Sequence, residues 1–252
     1  MQKEHKLTKQ EFAQVMKEKR AKLFDMINAQ LSITTQDSNK YLEFLFLLGK
    51  HGMNTSNTLL IQKQNPSATY LLDVARWRER GAYINKGAKG AAIFEPSQPY
   101  VKRDGSMGVN YNVKYVFDVT QTSISNTFNC SYPTSDELEF AFKHKEKDAE
   151  TIYKNGNQQE YLIALLRHAC RNSNPKDEFI LESCVYSLAS KYGLSMHTNI
   201  AQQIPSYFAY RNPKEIKEIL KDIKELFDII SKRINHGLYV YKEEHTNEQP
   251  TY

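Results

Sequence analysis

The stretch Gly81–Pro96, GAYINKGAKGAAIFEP, sets Gly81, Gly87 and Gly90 and the lysines Lys86 and Lys89 directly ahead of a short apolar run. Glycine allows main-chain conformations and close approaches that a side chain would block, and lysine brings positive charge to the same place. That combination suits an anion lying against the main chain; it also suits a plain tight turn. No acid occurs from Ala82 to Phe94. Around this stretch cations alternate with rings: Lys63, Tyr70, Arg76, Trp77, Arg78, Arg80, Tyr83, Lys86, Lys89, Tyr100, Lys102, Arg103, Tyr111 and Lys114. Basic side chains neutralise phosphates, and exposed rings give unpaired bases a face to stack on, so the mixture fits a single-stranded nucleic acid. A solvated basic face is the plain alternative. Trp77, the chain's one tryptophan, is expected in the core.

Charge supports the first reading. Residues 1–118 carry 18 Lys and Arg against 11 Asp and Glu, whereas residues 119–252 carry 16 against 18, so the net charge of +5 resides in the first half. The opening residues mix acids with bases and lack an apolar block, which is unlike a signal peptide or an organelle leader. The longest apolar run, Tyr41–Gly49, is too short to span a membrane. Cys130, Cys170 and Cys184 form no CxxC pair and fit free thiols in a reducing cytoplasm.

The elements that must position these residues follow from periodicity. Thr8 with Glu11 reads as a capping box for a helix running to about Leu31. Further helices are expected at 38–50, at 54–64 ahead of Asn65-Pro66, and at 74–80, capped by Asp73 and ended by Gly81. Strand patterns follow: YINKG, AAIFEP, and a hairpin that turns at Asp104-Gly105. Residues 119–135 read as a connection. Helices are then expected at 136–149, 158–171, 176–192 and 213–235. The expectation is an α+β chain: residues 1–130 as N-terminal helices plus a small antiparallel sheet, 131–240 as a C-terminal helical bundle, and 241–252 as a disordered tail.

The run NTSNTLLIQKQNPSATYLLDVARWRERGAYINKGAKGAAIFEP, followed by YVFDVTQT, resembles the ArdC-like single-stranded DNA-binding domain of antirestriction, conjugative-plasmid, integrative-element and phage proteins. The likeness rests on Asn57, Leu60 and Ile61, Gln64-Asn65-Pro66, Ala68-Thr69, the Trp77 helix and Gly81. It continues through Lys86-Gly87-Ala88-Lys89-Gly90, Pro96, Phe117-Asp118-Val119 and Gln121-Thr122, and covers roughly residues 40–122. The family's usual glutamate in the lysine-glycine turn is Ala88 here. The resemblance implies a DNA-binding set of Asn57, Lys63, Arg76, Arg78, Arg80, Tyr83, Lys86, Gly87, Lys89, Gly90, Lys102, Arg103 and Lys114.

Longer members of that family continue into a zinc-peptidase domain, and QQEYLIALLRHAC with ESCVYSLASKYGL resembles its remnant. In register, the first zinc histidine becomes Ala164, the general-base glutamate becomes Leu165, His168 survives, and Glu182 matches the third ligand. Peptidase chemistry needs three ligands, an open position for water and a carboxylate base, and two of those four groups are missing. No catalytic residue, metal or cofactor is therefore expected. The helix KEIKEILKDIKELFDIISKRI carries an apolar stripe for its own domain, or for a partner protein or a second copy bound through the helices of residues 136–235. The function expected is a cytoplasmic single-stranded DNA-binding protein of a mobile element, with no membrane or small-molecule partner. A protein-interaction adaptor is the alternative, and a divergent zinc metallopeptidase a more remote one.

Overall fold

The computed structural model describes residues 8–154 and 156–246. Among these residues the chain is α+β and rich in helix, with nine α-helices and one three-stranded antiparallel sheet. It divides into two compact units: one contains the described residues up to Ile33 together with Ser56–Phe128, the other Thr34–Thr55 together with the chain from Asn129 onward.

In the first unit α1 (Lys9–Gln36) begins at the expected capping box, with the Thr8 main-chain N–H donating to Glu11 and the Glu11 N–H to Thr8 Oγ1. Leu23, Ile27 and Leu31 form its buried stripe. α3 (Thr55–Gln64) is followed by β1 (Leu71–Leu72), α4 (Val74–Glu79), β2 (Ala91–Val101) and β3 (Met107–Asp118). The sheet order is β1-β3-β2, and β2 and β3 pair from Ala91↔Val116 to Val101↔Met107 with an irregularity between Pro96 and Pro99. Proline cannot donate to a ladder, which accounts for the slip at two such residues. The expected YINKG strand is reduced to a single bridge, Ile84↔Thr122. Trp77 is fully buried, with Tyr70, Ile84, Phe117 and Phe128 packed around it, and its Nε1–H donates to the Phe117 carbonyl at 2.9 Å.

The second unit holds α2 (Ser38–His51), α5 (Ser135–Lys143), α6 (Gln158–Asn172), α7 (Glu178–Lys191), α8 (Ile200–Gln203) and α9 (Pro213–Thr246). Its composition corrects the expected boundary, because α2 does not belong with residues 1–130. Tyr41, Phe44, Leu45, Leu47 and Leu48 bury α2 on both sides, the Tyr41 hydroxyl meets Ser183 Oγ at 3.0 Å, and Gly49 lies directly against the Ser187 carbonyl. A helix this apolar needs a bundle around it, not one flank of a small sheet. α9 is also longer than the expected 213–235. Lys242, Glu243 and Glu244 are good helix formers and continue it, so 241–246 is helix, while the rest of the expected tail lies outside the described residues. The α9 stripe of Ile216, Leu220, Ile223, Phe227, Ile230 and Ile234 is buried within its own unit. No helix among the described residues is long and apolar enough to cross a membrane.

Candidate nucleic-acid interface

The glycine-lysine stretch begins where α4 ends. Gly81 adopts φ +72°, and its N–H and that of Ala82 return to the carbonyls of Arg78 and Trp77, both at 2.9 Å. This paired C-terminal closure requires a residue with positive φ. The chain next makes a tight turn in which the Ala88 N–H reaches the Asn85 carbonyl at 3.1 Å, with Gly87 at φ +83°. The far side of the loop is tied down: the Asn85 N–H donates to the Gln121 carbonyl, the Ser123 N–H to the Tyr83 carbonyl, and Gln121 Nε2 to the Lys89 carbonyl, each at 2.9 Å. Lys86 and Lys89 are left exposed on the turn.

Beside this turn lies an open cleft of about 520 Å³, lined by Gln64, Asn65, Lys89, Gly90, Ala91, Thr120 and Gln121. Its walls are amides, a hydroxyl, main chain and a single cation. The two glycines of the turn serve different ends. Gly87 serves the turn conformation and has open space around it, whereas a Cβ on Gly90 would sit 2.8 Å from the Phe117 ring. Gly90 is therefore fixed by packing.

The residues of the implied DNA-binding set fall into separate groups. Lys63, Arg78, Lys86, Lys89, Lys102 and Arg103 are exposed, and among the described residues none has a carboxylate partner. Tyr83 is 70% exposed. Lys86 and Lys89 share one turn; Lys102 and Arg103 sit at the opposite end of β2, about 35 Å away by strand rise. Arg76 has Asp73 within 4.0 Å, and Arg80 lies over the Tyr70 ring at 5.3 Å.

Besides Gly90, two further members are spent on the fold, which corrects their expected role. Asn57 is buried, its Oδ1 accepting from the Phe94 N–H at 2.9 Å and its Nδ2 donating to the Phe94 carbonyl at 2.8 Å. Lys114 sits between Asp73 at 2.7 Å and Glu95 at 2.6 Å, and hydrogen bonds to those carboxylates hold its ammonium above the ordinary lysine range. Burial of Asp73 opposes its ionised form, but Lys114 and the Arg76 N–H outweigh this and lower its pKa.

Asp118 braces the segment that supplies Thr120 and Gln121 to the cleft. Its carboxylate accepts from the N–H groups of Thr69 at 2.6 Å, Tyr70 at 2.9 Å and Thr120 at 3.0 Å, while Gln121 Oε1 accepts from the Asp118 N–H at 2.9 Å. Burial works against the charged form, yet these donors outweigh it and hold the carboxyl below the usual aspartate range. The Phe117-Asp118-Val119 and Gln121-Thr122 motifs thus position Thr120 and Gln121 through a buried anion.

In the second unit, Glu182 is paired with Arg167 through two hydrogen bonds, Nη2 to Oε2 at 2.9 Å and Nε to Oε1. His168 Nε2 lies 2.8 Å from the Lys147 carbonyl and 3.0 Å from Asn172 Nδ2. Cys170 and Cys184 are buried with their sulfurs 3.8 Å apart. Among the described residues no group of three His, Cys, Asp or Glu side chains is arranged to hold a metal ion.

No protein-family model and no curated protein matches the chain. Among solved structures it is similar to the metal-free antirestriction ArdC protein from the R388 plasmid, at 13% identity and TM-score 0.42, covering 72% of this chain and 85% of that one. The Mn(II)-bound structure of the same protein gives 13% identity and TM-score 0.43, covering 71% and 87%.

Two features were not singled out from sequence as site residues. The cleft walls Gln64, Asn65, Thr120 and Gln121 are neutral and carry no charge signal. Met107, Val109 and Tyr115, all exposed on β3, belong to the alternation that marks the hairpin, which does not say whether their face is covered.

Proposed function

We propose that the chain binds single-stranded DNA through its first unit and acts, without catalysis of its own, as a cytoplasmic protein of a mobile element in DNA transfer, replication or protection against host defence. The mobile-element setting follows from the sequence resemblance. The observation that carries the binding assignment is the turn of Lys86 and Lys89: both exposed, unpaired among the described residues, and held beside a polar cleft by main-chain bonds to residues 121–123. A loop whose main chain is already held spares the cost of ordering it when its lysines meet phosphate, and the cleft offers amides and main chain instead of a base-reading pattern. Recognition is accordingly of the unpaired strand and only weakly of its sequence.

The non-catalytic reading is supported by what surrounds Glu182. A carboxylate bound by a guanidinium on both oxygens has its charge already met, and Ala164 and Leu165 supply neither a ligand nor a base. Equilibrium binding of labelled single- and double-stranded oligonucleotides tests the proposal; equal affinity for duplex, or none for either, would contradict it.

A further inference from the structure

Successive residues of a strand point to opposite faces, and residues directly opposite in an antiparallel pair share a face. Met107, Val109, Tyr111, Val113 and Tyr115 therefore lie on one face of β3, with Val101, Pro99, Pro96, Phe94 and Ala92 opposite them in turn. Phe94 alone is buried there: Phe24 of α1 packs on it at 4.7 Å between ring centroids, and Tyr111 meets it edge-on at 5.8 Å. Met107 and Val101 are more than 60% exposed, and Tyr111 and Tyr115 keep 40% and 44% of their surface open. Soluble domains seldom leave so many large apolar side chains exposed together on one face.

The charges around this face choose its occupant. Lys19 Nζ stands 5.9 Å from the Tyr115 ring centroid. Lys102 and Arg103 follow Val101 at one end, and Lys86 and Lys89 precede β2 at the other. The three acids of the hairpin are engaged elsewhere, Glu95 with Lys114, Asp104 with Ser106, and Asp118 with the main-chain N–H groups of Thr69, Tyr70 and Thr120. An apolar peptide would need no such border of cations, whereas a polyanion bearing flat apolar rings needs both features.

We infer that this face of the β2–β3 hairpin is a stacking platform for the unpaired bases of a single strand, with Tyr111 and Tyr115 as its two rings. The inference rests on the binding proposal above and assigns the base contacts that the lysine turn does not supply. Along the strand the rings are about 13 Å apart, roughly four times the 3.4 Å step of stacked bases. Bases held in a duplex stack cannot reach both rings, while a splayed single strand can, so the platform would reject duplex by geometry.

The test uses the full chain, a labelled oligothymidylate and an abasic oligomer of equal length and charge. Replacing both rings, Tyr111→Leu with Tyr115→Leu, is expected to weaken oligothymidylate binding at least about fivefold, the lower end for losing one stacked base. The same variant should bind the abasic oligomer as the wild type does, and Tyr111→Phe with Tyr115→Phe should retain wild-type affinity. As a check that needs no substitution, the oligothymidylate, but not the abasic oligomer, should protect Tyr111 and Tyr115 from nitration. If the leucine variant binds unchanged while Lys86→Ala with Lys89→Ala weakens binding, the platform is wrong and the DNA function stands. If the wild type binds no oligonucleotide, both fall. A wild-type dimer that the leucine variant abolishes, with DNA affinity unchanged, would make a second copy the occupant and overturn the inference.

Discussion

Asn57 pairs with both main-chain groups of Phe94, and one residue pair further along the same edge Gln64 does the same for Ala92, at 2.9 Å in each direction. Two carboxamides on one helix thus take the place of a neighbouring strand on the outer edge of β2. A bare edge at this position would leave a buried N–H and carbonyl unsatisfied. Asn57→Leu removes one such pair and is expected to cost about 2–4 kcal/mol in chemical denaturation. Oligonucleotide affinity, measured where the variant remains folded, should be unchanged. A loss of affinity without a loss of stability would return Asn57 to the binding surface.

Helix crossings in the second unit depend on missing side chains. A Cβ on Gly49 would overlap the Ser187 carbonyl oxygen, and one on Gly237 would fall 2.8 Å from the Ala141 Cα. Both obstacles are main chain and cannot swing away. Gly49→Ala should lower stability by about 2–4 kcal/mol despite the better helix propensity of alanine, and Gly237→Ala by less. Gly87→Ala meets no atom and should cost about 1 kcal/mol, from its positive φ alone. Thermal unfolding of the three variants checks this order.

Asp118 gives the first unit an acid-sensitive brace. Its folded-state pKa is lowered, so the stabilisation is present above the ordinary aspartate value of about 3.9 and is lost as pH falls through the lower folded value. Asp118→Asn points an amide N–H or a neutral oxygen at three main-chain donors. It should be less stable than wild type by about 2–4 kcal/mol at pH 7, with a shallower loss between pH 5 and pH 2. Melting temperatures across that range read both effects. A variant whose acid limb matches the wild type would show that other carboxylates set it, among them Glu139, held at about 2 chiefly by hydrogen bonds from Lys154 and Lys143 that overcome its burial.

Most of the architecture was legible because local signals agreed. Thr8 with Glu11, Asp73, Gly81 and the Asp104-Gly105 turn all mark element ends where they were expected. What stayed hidden depended on contacts distant in sequence. α2 precedes the Asn57–Thr122 motifs in sequence, yet its partners lie some 140 residues later, so no local pattern could assign it to the bundle. Lys114 reads as one more free cation until the fold brings Asp73 and Glu95 to it. Asn57 and Gly90 read as ligand contacts because short polar and glycine residues serve close packing and anion binding alike. Tyr115 carries no local mark of exposure, since period-two alternation marks a face without saying whether anything covers it.

The central claim is that Lys86 and Lys89 grip the backbone of an unpaired strand. Its most direct test is the dependence of log affinity for an oligothymidylate on log salt, measured for the wild type and for Lys86→Ala with Lys89→Ala. Each phosphate contact on a single strand contributes about 0.7 to the slope, so the double variant should bind more weakly, with a slope shallower by about 1.4. Unchanged affinity and slope, in a variant that melts at the wild-type temperature, would contradict the claim.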